Sequence, residues 1–186
     1  LSNLLVLSQV RKRVKKLKKR NKIFDNHLSK KIISNFSFSL TSDQTKVIEE
    51  INKDLKSDFK MFRILQGDVG SGKTIVSFIA ASNVIRSNWQ VALMAPTEIL
   101  AKQHYNLATK IFKSTDVTIK FLSGKSDVKE KKLIQENLIN GKINFLIGTH
   151  ALFQKNILFK NLGLIIIDEQ HKFGVKQRIE LSNKGG

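Results

Sequence analysis

Apolar positions along the chain fall into two alternating rhythms. Short runs rich in apolar residues, at 63–66, 90–95, 117–122, 144–147 and 162–167, predict buried strands. Between them apolar residues return every three or four positions, which predicts helices over 73–86, 98–112 and 126–140, the last stopped by Gly141. Phe36, Phe38 and Leu40 alternate ahead of a further helix. There Thr41 is the expected N-cap and Gln44 stands at capping-box spacing, while Val47, Ile48, Ile51 and Leu55 form the buried face. Strands apolar on both faces, spaced by helices, predict an α/β fold: a parallel sheet sandwiched by helices. The only proline, Pro96, sits where a strand should end.

Residues 1–35 follow a different pattern. Leu4, Leu7, Val10, Val14 and Leu17 recur at helical spacing with Lys and Arg on the other faces, which predicts a basic amphipathic helix followed by a connector. The expected organisation is therefore a basic helical linker over 1–35 and an α/β domain over 36–186.

Composition narrows this picture in three ways. The chain has 186 residues and 41% hydrophobic content, enough for one full α/β domain and a short extra segment. No apolar run approaches the ~18–20 residues of a membrane span. Cysteine is absent, which excludes disulfides, thiolate zinc sites and cysteine nucleophiles and fits a reducing cytoplasm. The net charge of +18 matters most, because it is unevenly spread. Residues 11–22 hold nine bases, whereas residues 36–186 carry 22 bases against 14 acids. A block so basic attracts polyanions by releasing their counterions. It reads equally as a solvated linker helix docked on a neighbouring domain and as an arm facing nucleic acid. The chain also begins without Met and ends on Lys184-Gly185-Gly186, so it reads as a piece of something longer.

Two motifs carry chemistry. Gly67-Asp68-Val69-Gly70-Ser71-Gly72-Lys73-Thr74 follows a predicted strand and opens a predicted helix, the context that a phosphate-binding loop needs. Its glycines let the backbone curl so that successive N–H groups point at phosphate oxygens, and the helix adds its positive N-terminal end. Lys73 is then expected on the β- and γ-phosphates of ATP and the Thr74 hydroxyl on Mg²⁺. The second motif is the apolar run 164–167 ending in Asp168 and Glu169. Carboxylates at the C-terminal edge of a parallel strand face the ligand crevice. Asp168 is expected to hold Mg²⁺ and Glu169 to polarise the attacking water, which completes a hydrolytic site.

The strings around these motifs make a resemblance specific. Asp168-Glu169-Gln170-His171 is similar to the acidic motif of superfamily two helicases, Ala95-Pro96-Thr97-Glu98-Ile99-Leu100-Ala101-Lys102-Gln103-His104-Tyr105 resembles their motif Ia, and Gly148-Thr149-His150-Ala151-Leu152 resembles the following DNA-contacting motif. Leu65-Gln66 leading into the phosphate loop, and Lys172-Phe173-Gly174-Val175 after the acidic motif, resemble the RecG branch in particular. The resemblance runs from about residue 36 to the C-terminus and more weakly over 1–35. It implies a RecA-like P-loop fold and an ATP-dependent DNA helicase or translocase. Such an enzyme acts on branched DNA and stalled replication forks in repair and recombination, as a monomer in the cytoplasm and apart from any membrane. It further implies that Gln44 reads the adenine, alongside or instead of capping its helix. Pro96, Thr97, Ser123, Gly124, Thr149 and His150 are implied as holders of the DNA backbone at strand ends. His171 is implied as a relay between the ATP site and DNA or a partner domain, and a lone His without ligand spacing argues against zinc. Trp89 reads as packing rather than as a base-stacking platform.

The same resemblance implies partners beyond the chain: a second RecA-like domain carrying an arginine finger, and a wedge domain that engages branched DNA. It also implies that a further strand inserts between the strand before the phosphate loop and the strand ending in Asp168. Two other readings stand beside this one. One is a translocase like the transcription-repair coupling factors; the other is a nucleotide-dependent DNA-binding module without turnover.

Overall fold

The computed structural model describes residues 17–168. Four strands, β1 (Gln90–Met94), β2 (Ile119–Leu122), β3 (Phe145–Gly148) and β4 (Leu162–Ile167), form one parallel sheet in the order β2-β3-β1-β4. Register is direct: Ala92 lies opposite both Leu146 of β3 and Ile165 of β4, and Phe121 opposite Ile147. Among the described residues five helices accompany them: α1 (His27–Ile33), α2 (Ser42–Lys56), α3 (Lys73–Arg86), α4 (Glu98–Ile111) and α5 (Val128–Ile139). A 3-10 turn, His150–Phe153, leaves β3.

The chain order dictates which face each helix covers. From β1 the chain steps over β3 to β2, then returns from β2 to β3. Right-handed crossovers in opposite directions put α4 and α5 on opposite faces. The two cores match: Val91, Leu93, Phe145 and Ile147 pack with α3 and α4, while Ala92, Met94 and Leu146 pack with Ile134 and Leu138 of α5. That alternation gives β1 and β3 their unbroken burial, since both faces are covered, whereas the edge strand β2 exposes Lys120. In the first core Phe78, Phe112 and Phe145 meet edge to face at 5.8–6.4 Å between ring centroids. Helix α3 buries ten residues around its circumference, so it carries no polar stripe.

Helix starts follow the predicted caps. The Thr41 hydroxyl accepts from the Gln44 backbone N–H at 3.2 Å and Gln44 Oε1 accepts from the Thr41 N–H at 3.0 Å, a complete capping box. Thr97 caps α4 through the Leu100 N–H, and Asp127 caps α5 through the Glu130 N–H.

Three expectations differ from the structure. Residues 63–66 form no ladder, and among the described residues no strand pairs with β4 on the side away from β1. A strand needs a neighbour for its N–H and C=O groups; here Arg63 is instead tied to α2 through Glu50 at 2.7 Å and Asp54 at 2.6 Å. Phe36 and Phe38 stack on each other, with centroids 5.3 Å apart, instead of alternating across a sheet. The predicted N-terminal basic helix falls mostly on 1–16, outside the described residues; residues 17–25 are not helical, and the first described helix is α1.

Residues 17–25 form a strap along α2 and α3. The Lys22 N–H donates to the Leu55 carbonyl, Lys19 N–H to Asp58 and Lys60 N–H to Leu17. Lys19 Nζ donates to the Asp54 and Leu55 carbonyls, so it caps the C-terminal end of α2, where a cation is favoured. Phe24 is buried, and Asp25 pairs with Arg86 of α3 at 3.2 Å. Lys22 is 4% exposed, with Nζ 4.8 Å from the Trp89 ring centroid. Burial, helped by the nearby Lys19, pushes the Lys22 ammonium down to about 8. Trp89 thus packs, as the sequence indicates, and two bases of the 11–22 block turn inward. Lys18 and Arg20 face solvent.

Candidate nucleotide-binding and DNA-binding site

The phosphate loop takes its shape from two glycines. Gly70 and Gly72 both have φ 81°, a left-handed conformation in which a side chain is strained. A Cβ on Gly72 would also run into Gln44 Nε2. Gly67, Asp68, Val69 and Ser71 complete an exposed loop, with the Ser71 N–H closing a turn on the Asp68 carbonyl at 3.1 Å. Gly72 is the N-cap of α3, so Lys73 and Thr74 are its first two residues, where helical N–H groups lack partners. Helix α3 returns to β1 through a tight turn at Asn88 (φ 62°), so it runs antiparallel to β1. Its N-terminus therefore lies at the C-terminal edge of the sheet.

Lys73 Nζ donates to the Gly67 carbonyl at 2.6 Å and the Asp68 carbonyl at 2.7 Å. Reaching a phosphate from there exchanges two carbonyl dipoles for an anion, whose full opposite charge adds Coulombic attraction to the ammonium. Gln44 ties α2 to this loop: Nε2 donates to the Ser71 carbonyl at 2.9 Å while Oε1 serves the capping box.

The fourth strand end brings Asp168 to the same edge. Its N–H donates to the Met94 carbonyl at 2.9 Å, which extends the β4–β1 ladder by one residue. The carboxylate Oδ2 lies 2.8 Å from Nε2 of His104, on α4. An ionised carboxylate only accepts, so this His104 nitrogen carries the proton. His104 appears in the sequence within the motif Ia string without any role. Only the tertiary fold, which sets a residue of α4 beside the end of β4, reveals the contact. Glu169 and His171 lie outside the described residues.

A magnesium ion, implied by the resemblance, suits the donors available. Thr74 offers a hydroxyl and Asp168 a carboxylate, both hard oxygens, and Mg²⁺ retains waters and takes phosphate oxygens rather than needing an all-protein cage. Among the described residues no cluster of three or more His, Cys, Asp or Glu could hold a metal alone.

The residues implied for DNA line the neighbouring strand ends. Across the edge the order is Ser123 and Gly124 after β2, Thr149 and His150 after β3, Pro96 and Thr97 after β1, then Asp168 after β4. Backbone bonds hold these tails together: Thr149 N–H to Leu122 at 3.2 Å and Ala95 N–H to Gly148 at 3.0 Å. Thr97, Gly124 and His150 are exposed and Pro96 and Thr149 half-buried. Ser123 is 3% exposed, and its hydroxyl accepts from the Lys125 N–H at 3.2 Å, so its side chain serves its own turn. No helix among the described residues is long and apolar enough to cross a membrane.

Comparison with known proteins follows this geometry. The family model described as DEAD/DEAH box helicase matches residues 41–184. The ATP-dependent DNA helicase RecG of Aquifex aeolicus is 45% identical over 181 residues, covering 97% of this chain and 23% of the relative. That of Bacillus subtilis is 47% identical over 162 residues, covering 87% of this chain and 24% of the relative. The structure of RecG bound to a three-way DNA junction superposes with a TM-score of 0.83 at 41% identity, over 91% of this chain and 23% of that one. The DEAD-box helicase Mss116 bound to single-stranded RNA shares the fold, with a TM-score of 0.67 at 18% identity over 91% of this chain and 39% of that one. The chain spans about a quarter of the length of the curated relatives it matches. With a RecA-like parallel sheet, a phosphate loop at the head of α3 and an acidic strand end beside it, the chain belongs to the DEAD/DEAH box helicase family.

Proposed function

We propose that the chain is the ATP-binding motor domain of an ATP-dependent DNA helicase of the RecG type, working on branched DNA and stalled forks in repair and recombination. The observation that carries this reading is the common edge: the phosphate loop, Asp168 and the exposed strand ends all lie at the C-terminal side of one sheet. Loop N–H groups and Lys73 bind the phosphates, and Thr74 and Asp168 are the residues that hold Mg²⁺, which supplies neutralisation of phosphate charge. Glu169 orients water for in-line attack on the γ-phosphate. Pro96, Thr97, Gly124, Thr149 and His150, with Ser123 supporting its turn, meet the DNA backbone. His171 relays between the two, and Gln44 meets the adenine. A second RecA-like domain and a wedge domain of the same protein are the partners, and residues 1–35 join the wedge to the motor. The protein acts as a cytoplasmic monomer.

Binding of a fluorescent ATP analogue to the chain, followed by anisotropy with Mg²⁺, tests this directly. Lys73→Ala should weaken binding at least tenfold without moving the thermal unfolding midpoint by more than a few degrees. Unchanged affinity would remove the phosphate loop from the site.

A further inference from the structure

Asp168 terminates a strand, and a carboxylate in that position turns freely about two side-chain bonds unless something holds it. The structure supplies a holder. His104 Nε2 donates to Asp168 Oδ2 at 2.8 Å, and the His104 side chain is only 13% exposed against 35% for Asp168. The imidazole is thus largely enclosed while the Asp168 side chain stays partly exposed. Helix α4, which carries His104, packs chiefly on β2 and β3, yet it reaches past the end of β1 to the end of β4. The helix is itself fixed close by: Thr97 caps it, and Ala101 and Ala108 are fully buried. His104 therefore stands on a rigid element, so its hydrogen bond fixes the plane of the carboxylate instead of following it.

We infer that His104 is a positioning residue for the ATP site, holding the Asp168 carboxylate in the orientation that accepts the nucleotide's divalent cation. This rests on the reading of Asp168 as a metal-binding residue. A residue that orients a metal-binding carboxylate typically changes metal affinity by 10–100-fold when removed. The contact also ties the cation site to the helix that Thr97 caps, so the proposed cation and DNA sites share one rigid piece.

The experiment measures affinity of the chain for a fluorescent ATP analogue across a Mn²⁺ titration, and again in EDTA. The ratio of the two affinities isolates the cation's contribution. His104→Ala should lower that ratio about tenfold and leave the EDTA affinity unchanged. His104→Gln, whose Nε2 falls near the imidazole Nε2, should restore most of it, whereas His104→Asn, with its amide one bond shorter, should not. A fall in both affinities together, or no rescue by Gln, would make His104 merely structural and overturn the inference. A rise in the ratio for His104→Ala would overturn it in the opposite direction, since His104 would then be competing with the cation. If the unsubstituted chain binds the analogue but shows no cation dependence, the assignment of Asp168 fails first and this inference with it.

Discussion

Replacing Lys22 by Met should stabilise the chain at neutral pH and lose that advantage in alkali. Lys22 enters the fold with an ammonium that burial pushes from 10.5 down to about 8. The folded state therefore releases this proton earlier than the unfolded chain does. Between pH 8 and 10.5 the unfolded state binds more protons, so stability rises with pH through that window. Below pH 8 the ammonium is charged in both states, and holding it in the fold costs about 3 kcal/mol, roughly 1.4 for each pKa unit. Stacking over Trp89 returns about 0.5–2 kcal/mol. Met keeps an unbranched stem of similar length against Trp89, Val84 and Gly163 and leaves the Lys22 N–H bond to Leu55 untouched. The net gain at pH 7 should be about 1–3 kcal/mol, or roughly 2–10 °C in Tm for a domain of this size. Thermal unfolding followed by circular dichroism, every half unit from pH 6.5 to 10.5, gives the difference between the two proteins. It should shrink by about 3 kcal/mol between pH 8 and 10.5, and so vanish or reverse within that window. A Met variant less stable at pH 7, or a gain that ignores pH, would refute the account of a desolvated ammonium.

Other expectations are simpler to check. Gly163→Ala would place a methyl 2.6 Å from Trp89 Cβ and 2.9 Å from Val84 Cγ1, so urea unfolding should show a loss of about 1–3 kcal/mol from overpacking. Gly72→Ala meets both a left-handed φ and Gln44, and should abolish binding of the ATP analogue in anisotropy measurements. In the full-length protein, Glu169→Gln should retain nucleotide affinity while losing turnover by orders of magnitude, measured as phosphate release. For duplex DNA, Lys18→Gln with Arg20→Gln should make the log–log salt slope shallower by up to about 0.9 for each lost phosphate contact, while Lys19→Gln with Lys22→Gln should leave it unmoved, because those two cations face the protein.

Features written locally were legible in the sequence. The phosphate loop, the Thr41–Gln44 capping box and the strands of the sheet each depend on residues a few positions apart, and their boundaries shift by only one or two residues in the structure. The apolar runs of β1 and β3 also revealed that both sheet faces are covered. Features that need a distant partner were not legible. Residues 63–66 have the composition of a strand but no neighbouring strand, and composition cannot supply one. Lys19 and Lys22 look like their exposed neighbours, since only the fold brings the end of α2 and Trp89 against them. His104 sits on a helix face with ordinary spacing, and its meaning comes from Asp168, 64 residues away. The strand-end residues were readable as a group through resemblance, but the inward turn of the Ser123 hydroxyl depends on the Ser123–Ser126 loop geometry.

Gln44 ties its amide to the protein at both ends, Oε1 on the first turn of α2 and one Nε2–H on the phosphate loop. The second N–H and the second lone pair of that amide still allow a base to engage it, on a group whose plane the two existing bonds already fix. Discrimination between purines would then come from mismatch: a base with the wrong edge leaves a donor or acceptor stranded, at about 1–3 kcal/mol. Recognition of this kind rejects more strongly than it attracts. It would also make the entry of α2 a mechanical part of the proposed nucleotide pocket, because loosening the amide from Thr41 removes one cap from the helix that presents it.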